Sequence, residues 1–408
     1  MNTLKSLYAV FGATLAINCG GATAGDDSGA ASNGGTNATG GLASAGGSEL
    51  TGGSRTAGGS SASSATTAAV SVVSAIAVGY DHSCAVVNGG VRCWAANGSG
   101  QLGNGTTTYS STPVQVQGLT SGVTAIAAGY AHACVVVNGA AQCWGDNTCG
   151  QLGNDTITNS STPVQVQGLT LGVTAIAAGD AYTCAAVNGG VQCWGTNGNG
   201  QLGNYIVTDV PYLSPVQVRG LTSGVTAIAT GDYDACAIVN GGGWCWGDNS
   251  EGALGNGTTT GSSTPVQVHG LTSDITAIAV GSGYTCAIVN GGVQCWGYNV
   301  AGRLGNGTTT ESSTPVQVQG LTSGITAIGA GYAHACATVE GAAQCWGDNA
   351  YGELGNGTTT DSSTPVQVQG LTSGVTAIAA GGYHTCAIVN GGVQCWGDNS
   401  TTPIVVGL

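Results

Sequence analysis

From Val70 to the last residue, apolar side chains come in short runs broken by Gly, Asn, Asp, Ser and Pro. No stretch there has the spacing of an amphipathic helix. Residues 123–168 show one complete unit. VTAIAA (123–128) predicts a first strand, closed by a turn at Gly129-Tyr130-Ala131. Residues 133–137 predict a second strand and residues 140–144 a third, with Asn138-Gly139 as a two-residue hairpin between them. A Gly/Asn/Thr-rich loop follows over 145–161, and TPVQVQ (162–167) predicts a short fourth strand carrying a Pro.

This unit recurs. Cys84, Cys134, Cys184, Cys236, Cys286, Cys336 and Cys386 open its successive copies, 50, 50, 52, 50, 50 and 50 residues apart. A fixed period near 50 with four strands per unit predicts an all-β fold, a single seven-bladed β-propeller of four-stranded antiparallel blades over residues 70–408.

A second cysteine stands nine positions after each first one, at Cys93, Cys143, Cys193, Cys245, Cys295, Cys345 and Cys395. Counting outward from the Asn138-Gly139 turn, Val137 faces Ala140, Val136 faces Ala141, Val135 faces Gln142 and Cys134 faces Cys143. That places the cysteines on a non-hydrogen-bonded pair with Cα atoms about 4.5 Å apart, within reach of a disulfide. The same count holds in all seven copies, although Glu340-Gly341 replaces Asn-Gly in the sixth. Zinc sites and redox pairs need closer spacings such as C-x-x-C, which are absent, so the pairs read as one disulfide per blade. Each closes a ten-residue hairpin, worth about 2–3 kcal/mol in the chain-entropy view.

The chain finishes on a lone fourth strand. Asn349 and Pro365 are 16 residues apart, Asn399 and Pro403 only 4, so the last long loop has lost 12 residues. Since no fourth strand precedes Val70, the expectation is that the C-terminal strand pairs into the first blade and closes the ring, removing exposed edges.

Net charge is −14, with Lys5, Arg55, Arg92, Arg219 and Arg303 the only basic Lys/Arg residues. A chain so poor in cations cannot displace counterions from phosphates, which excludes a nucleic-acid partner, and it has nothing to draw it to an anionic membrane surface. Sixteen cysteines with only five histidines point to an oxidising compartment. Residues 1–18 have the basic start and short apolar run of a signal peptide. The run ends at Ala16-Ile17-Asn18-Cys19, which resembles a bacterial lipobox with Cys19 as the lipidated residue; cleavage after Ala22-Thr23-Ala24 is the alternative. Both readings export the protein, the first as an outer-membrane or cell-surface lipoprotein, the second as a secreted or periplasmic one. Residues 19–69 are Gly, Ser, Ala and Thr with few bulky side chains, the composition of a flexible linker.

The recurring run G-x-x-H-x-C-A…W-G-x-N-x-x-G-x-L-G-N-G resembles the repeat of the regulator of chromosome condensation family, matched in the second unit by Gly129, His132, Trp144, Gly145, Asn147, Gly150, Leu152 and Gly153. The resemblance implies a seven-bladed propeller over 70–408, and the cysteine pairs resemble an exported bacterial branch. The family's nucleotide-exchange and chromatin activities depend on an inserted wedge and basic tails, neither of which the sequence contains. The secreted β-lactamase inhibitor of the same fold, which binds its target enzyme through aromatic-rich loops, is similar in setting. Fold alone does not assign function.

Alternating strand directions put the first–second and third–fourth connections on one face. The hairpin turns and Gly-Leu-Thr-Ser-Gly links lie on the other, which is nearly identical in every unit. Variation sits on the first face. Candidate partner-binding residues there are Tyr80, Asp81, Tyr130, Asp180, Tyr182, Asp232, Tyr233, Asp234, Tyr284, Tyr298, Tyr332, Tyr351 and Tyr383, joined by an odd stretch at 205–213. Tyrosine offers large, rigid contact area at low entropy cost, while the bland reading has several of these rings packed between blades. His82, His132, His334 and His384 each precede a first cysteine by two positions, which reads as structural hydrogen bonding. Asp180, Asp232 and Asp234 could form a carboxylate cluster for a cation or for acid–base chemistry. No Ser-His-Asp set, phosphate loop or calcium loop accompanies them, so the expectation is no catalytic residue, no metal and no cofactor. Cys149, outside the repeat pattern, reads as a drifted loop residue, with a reactive thiol or dimer bridge as alternatives. The Asn-Gly-Thr runs at Asn104, Asn256, Asn306 and Asn356 read as turn chemistry rather than glycosylation sites. The functional expectation is a monomeric, non-catalytic, lipid-anchored propeller that binds a protein or carbohydrate at the cell surface. An enzyme inhibitor using the same face is the first alternative, and a hydrolase or lyase using the acidic cluster the second.

Overall fold

The structure, a computed structural model, describes residues 71–408; the segments read above as signal peptide and linker, Cys19 among them, lie outside the described residues. Seven four-stranded antiparallel sheets follow one another along the chain, each built from four consecutive strands. In the second blade these are Val123–Ala128, His132–Val137, Ala140–Gly145 and Ser160–Gln165. The fourth strand starts two residues before the sequence pattern suggested, because Ser160 already pairs with Gly145. The one helical element among the described residues is a 3-10 turn at Val300–Gly302.

The hairpin count is borne out. Cys134 pairs with Cys143, Val135 with Gln142, Val136 with Ala141 and Val137 with Ala140. Asn138 and Gly139 both take positive φ, as a type I′ turn demands, and Glu340 adopts it too in the sixth blade. All seven cysteine pairs form disulfides, with Cα atoms 4.0–4.1 Å apart.

Ring closure differs from the expectation. The C-terminal strand, Ser400–Val406, pairs with Gly392–Gly397 of its own blade and leaves the first blade alone. The shortened loop explains this: Asp398 and Asn399, both with positive φ, form a tight turn that returns the chain onto its own third strand. Blades one and seven instead meet side by side, through a shared core that includes Val78, Trp94, Cys386 and Val393.

Elsewhere each long loop seals the seam to the next blade. An asparagine holds the loop: Asn147 Oδ1 accepts the Leu152 amide, and its Nδ2 donates to the Thr156 and Thr158 carbonyls. The leucine so placed is fully buried against the next blade's tryptophan, Leu152 against Trp194. That tryptophan's indole N–H donates to the loop carbonyl of Gln151, 2.8 Å away. The Asn-Gly-Thr runs are indeed turns, with Asn104 Oδ1 accepting from the Thr106 hydroxyl at 2.8 Å.

Candidate functional site: the loop-face mouth of the propeller

The first–second turns of the seven blades converge on the axis. Glycines at Gly79, Gly129, Gly179, Gly231, Gly281, Gly331 and Gly381 line its neck. A Cβ on Gly129 would lie 2.3 Å from the Gly179 carbonyl oxygen of the next blade, so only glycine lets the inner strands close so far. Backbone bonds then stitch neighbours together, Tyr80 N to Gly129 O and Gly382 N to Gly79 O among them.

The residue after each glycine forms the rim. Around the ring these are Tyr80, Tyr130, Asp180, Asp232, Ser282, Tyr332 and Gly382. The rim is two-sided. Blades six, seven, one and two supply a continuous aromatic arc. Tyr80 lies 4.5 Å from Tyr130, 5.2 Å from Tyr383 and 5.9 Å from Tyr332 between ring centroids, and Tyr351 lies 4.9 Å from Tyr383. The Tyr80 and Tyr383 hydroxyls hydrogen-bond at 2.6 Å. Tyr130 and Tyr351 keep about half their surface exposed, so the arc is available to a partner.

Blades three to five supply the polar side. Burial, reinforced by Asp232 and Asp146, pushes the Asp180 carboxyl up to about 6, against an opposing hydrogen bond from Tyr233. Burial also raises Asp232, opposed by a hydrogen bond from Ser282 and by the Arg303 charge. Arg303 stacks 4.6 Å over the Tyr298 ring and donates to the Ser282 carbonyl at 3.2 Å. Arg303 and Ser282 both come from loops of the fifth blade on the variable face.

Three expected surface residues do not reach the mouth. Tyr182 and Tyr284 are fully buried between blades, their hydroxyls donating to the Asp234 and His334 carbonyls of the next blade at 2.6 Å. Asp234 is buried at the equivalent place, and desolvation holds its carboxyl well above the usual range. They occupy the histidine position of their blades, which points into the seam. The supposed three-carboxylate cluster is therefore an Asp180–Asp232 pair. Among the described residues, no group of three His, Cys, Asp or Glu is placed to hold a metal ion. Asp81, Tyr233, Tyr298, Tyr332 and Tyr383 lie at or around the rim with partial or full exposure.

Three of the four histidines bond across the seams as read, whereas His82 has no partner for either ring nitrogen among the described residues. Thr183 Oγ1 gives its hydrogen to Gln151 O, so His132 Nε2–H must donate to it, at 2.9 Å. His334 does the same with Thr385, and His384 bonds Ser83. Burial lowers His132 to about 4 and His334 and His82 to about 3, leaving them neutral. Cys149 corrects an expectation: it is buried and disulfide-bonded, not a drifted free thiol. The fourteen hairpin cysteines pair among themselves, so its partner is none of them.

The sequence profile of the regulator of chromosome condensation (RCC1) repeat matches residues 88–136, 138–186, 188–238, 240–288, 290–338 and 340–388, and a second profile of that repeat matches 123–151. The chain belongs to the regulator of chromosome condensation repeat family. Each matched RCC1 repeat runs from a hairpin turn of one blade into the second strand of the next, so it contains a whole seam. Among solved structures, human WBSCR16 is similar at 25% identity, covering 76% of this chain and 84% of that one, with a TM-score of 0.67. Prp20p from Saccharomyces cerevisiae, described with its binding to Gsp1p and histones, shares 20% identity over 83% of this chain and 88% of its own, at a TM-score of 0.69. Yeast RCC1 (Prp20) bound to Kap60 covers 83% and 84% at 20% identity and a TM-score of 0.68. These last two establish the RCC1 fold alone. No curated protein matches the chain in sequence.

Proposed function

We propose that this RCC1-type propeller is an exported, non-catalytic binding protein whose mouth engages a protein partner, with a carbohydrate as the second reading. The observation that carries this is the two-sided rim: five tyrosines on one arc and the Asp180–Asp232 pair facing them across the axis. Rigid aromatic area with a few directional polar groups is the composition of an interface hot spot. The described binding of Prp20p to Gsp1p and histones favours protein over sugar. An enzyme plugged by this face, as the inhibitor resemblance suggests, is one form of the same reading. The hydrolase or lyase alternative loses its third carboxylate with the burial of Asp234.

Seven hairpin disulfides support export, because thiols in a reducing cytosol would not hold them. We further propose residues 1–18 as the signal, 19–69 as the tether and Cys19 as the lipidation site. The intact mass of the mature N-terminus separates lipidation at Cys19 from cleavage after Ala22-Thr23-Ala24.

The binding reading is tested by capture from the envelope of the producing cell, comparing the native protein with a Tyr80→Ala, Tyr332→Ala, Asp180→Asn variant of unchanged melting temperature. Loss of the captured partner is expected. Equal capture by both proteins would sink the assignment of this face.

A further inference from the structure

The pseudo-sevenfold ring has one seam unlike the others. In six seams a long loop delivers a buried leucine beneath the next blade's tryptophan and a carbonyl to its indole N–H. These are the six seams contained within matched repeats; the junction of blades seven and one falls outside them. There the two-residue turn at Asp398-Asn399 replaces the loop, and a cleft of about 520 Å³ opens between the blades, within the size range of ligand sites.

Several features show this cleft as an incomplete copy of the others. Trp94 is 8% exposed where Trp144, Trp194, Trp246, Trp296 and Trp346 are fully buried, and among the described residues its indole N–H has no acceptor. Its core cluster contains no loop leucine, unlike the other six. Ser111 and Thr112 are exposed, whereas the matching Ser161 and Thr162 are half-buried under the loop of the preceding blade. That loop also donates a backbone N–H to Ser161 O, a bond Ser111 does not receive. The outer wall is apolar: Ile404 and Val405 are 59% and 74% exposed, and Tyr109 stands beside them at 65%. Val405 holds the place of the glutamine that elsewhere latches the fourth strand, as Gln165 does through bonds to Ala141, Val166 and Leu169.

We propose that the cleft between blades seven and one is a docking site for an extended peptide segment of a partner protein, bearing one leucine followed by glycine or another small residue. The six completed seams define that chemistry. The leucine enters beneath Trp94, the carbonyl before it accepts the Trp94 indole N–H and the Ser83 hydroxyl, and a later backbone N–H reaches the Ser111 carbonyl. A second copy of this chain is a poor source, because its own six loop leucines are fully buried in their seams. The site is distinct from the axial mouth and does not depend on the function proposed for it.

The probe is a labelled synthetic peptide copying residues 351–360, the loop that fills the neighbouring seam, titrated into the full chain by fluorescence anisotropy. Saturable binding is expected. A Leu354→Ala peptide should bind at least tenfold more weakly, since it gives up the one buried aliphatic group. Trp94→Phe should weaken the native peptide about fivefold through loss of one hydrogen bond. Because Trp94→Phe could also unsettle the blade, a second variant grafts residues 348–361 in place of Asp398-Asn399. It should abolish binding while raising the melting temperature. No saturable binding, equal binding of the two peptides, or full binding to the graft would each overturn the proposal.

Discussion

The seam histidines follow a pairing rule with one exception, and repairing it gives a quantitative test. His132 meets Thr183, His334 meets Thr385 and His384 meets Ser83, while Tyr182 and Tyr284 reach past Ala235 and Ala335 to a backbone carbonyl. His82 alone is a histidine facing an alanine, Ala133, and neither of its ring nitrogens has a partner among the described residues. Ala133→Thr supplies the hydroxyl that Thr183 supplies one blade on. The new Oγ1 would donate to Gln101 O, as Thr183 donates to Gln151 O, and accept from His82 Nε2–H. Satisfying a buried orphan donor is worth about 1–2 kcal/mol. For a domain of about 340 residues the unfolding entropy is about 0.7 kcal/mol per kelvin, so the melting temperature should rise by about 1.5–3 °C. Scanning calorimetry at pH 7.5 is the assay, with Ala133→Val as control: valine adds the same volume and no hydroxyl. If valine raised the melting temperature as much as threonine, filling of space would explain the gain. If threonine lowered it, the pairing rule itself would be wrong.

Three further outcomes are expected. Glu353 stands, buried, where three other blades have Gln, and burial pushes its carboxyl up to about 7. A carboxyl raised in the folded state costs stability as pH climbs from its unfolded value through 7, so Glu353→Gln should raise the melting temperature more at pH 8 than at pH 5. Asp180 gains its charge only above about 6, so affinity for a cationic partner at the mouth should fall as pH drops through 6; Asp180→Asn should flatten that profile in titrations from pH 5 to 7.5. Cysteines buried under neighbouring blades should resist reductant in the folded protein. The Cys386–Cys395 pair, whose Cys395 is only partly buried at the open seam, should be alkylated first when dithiothreitol-treated samples are followed by mass spectrometry.

Much of the fold was legible because its decisive interactions are local. The Asn-Gly turns sit within single hairpins, and a type I′ turn sets register by counting alone, so the cysteine pairs follow without any tertiary contact, while the period near 50 counts the blades. The candidate site was legible only in part. Tyr182, Tyr284 and Asp234 carry the same residue types as the rim, but each opens a second strand, two positions after the turn residue that forms the rim. Which of them face the axis and which face the next blade depends on how the blades pack.

Sequence by itself therefore determined the number of blades, their strands, their sulfur staples and the face on which variation gathers, since strands and staples follow from neighbours within about ten residues and the other two from a repeat near 50. Tertiary structure decided three things: the two-sided mouth, the hydroxyl partners of the buried histidines, and the fate of the last strand. The mouth is assembled from turns some 50 residues apart, and its aromatic and acidic halves appear only when seven blades are set in a circle. The last strand turned back onto its own blade because a two-residue link can reach nowhere else, and that left one seam open.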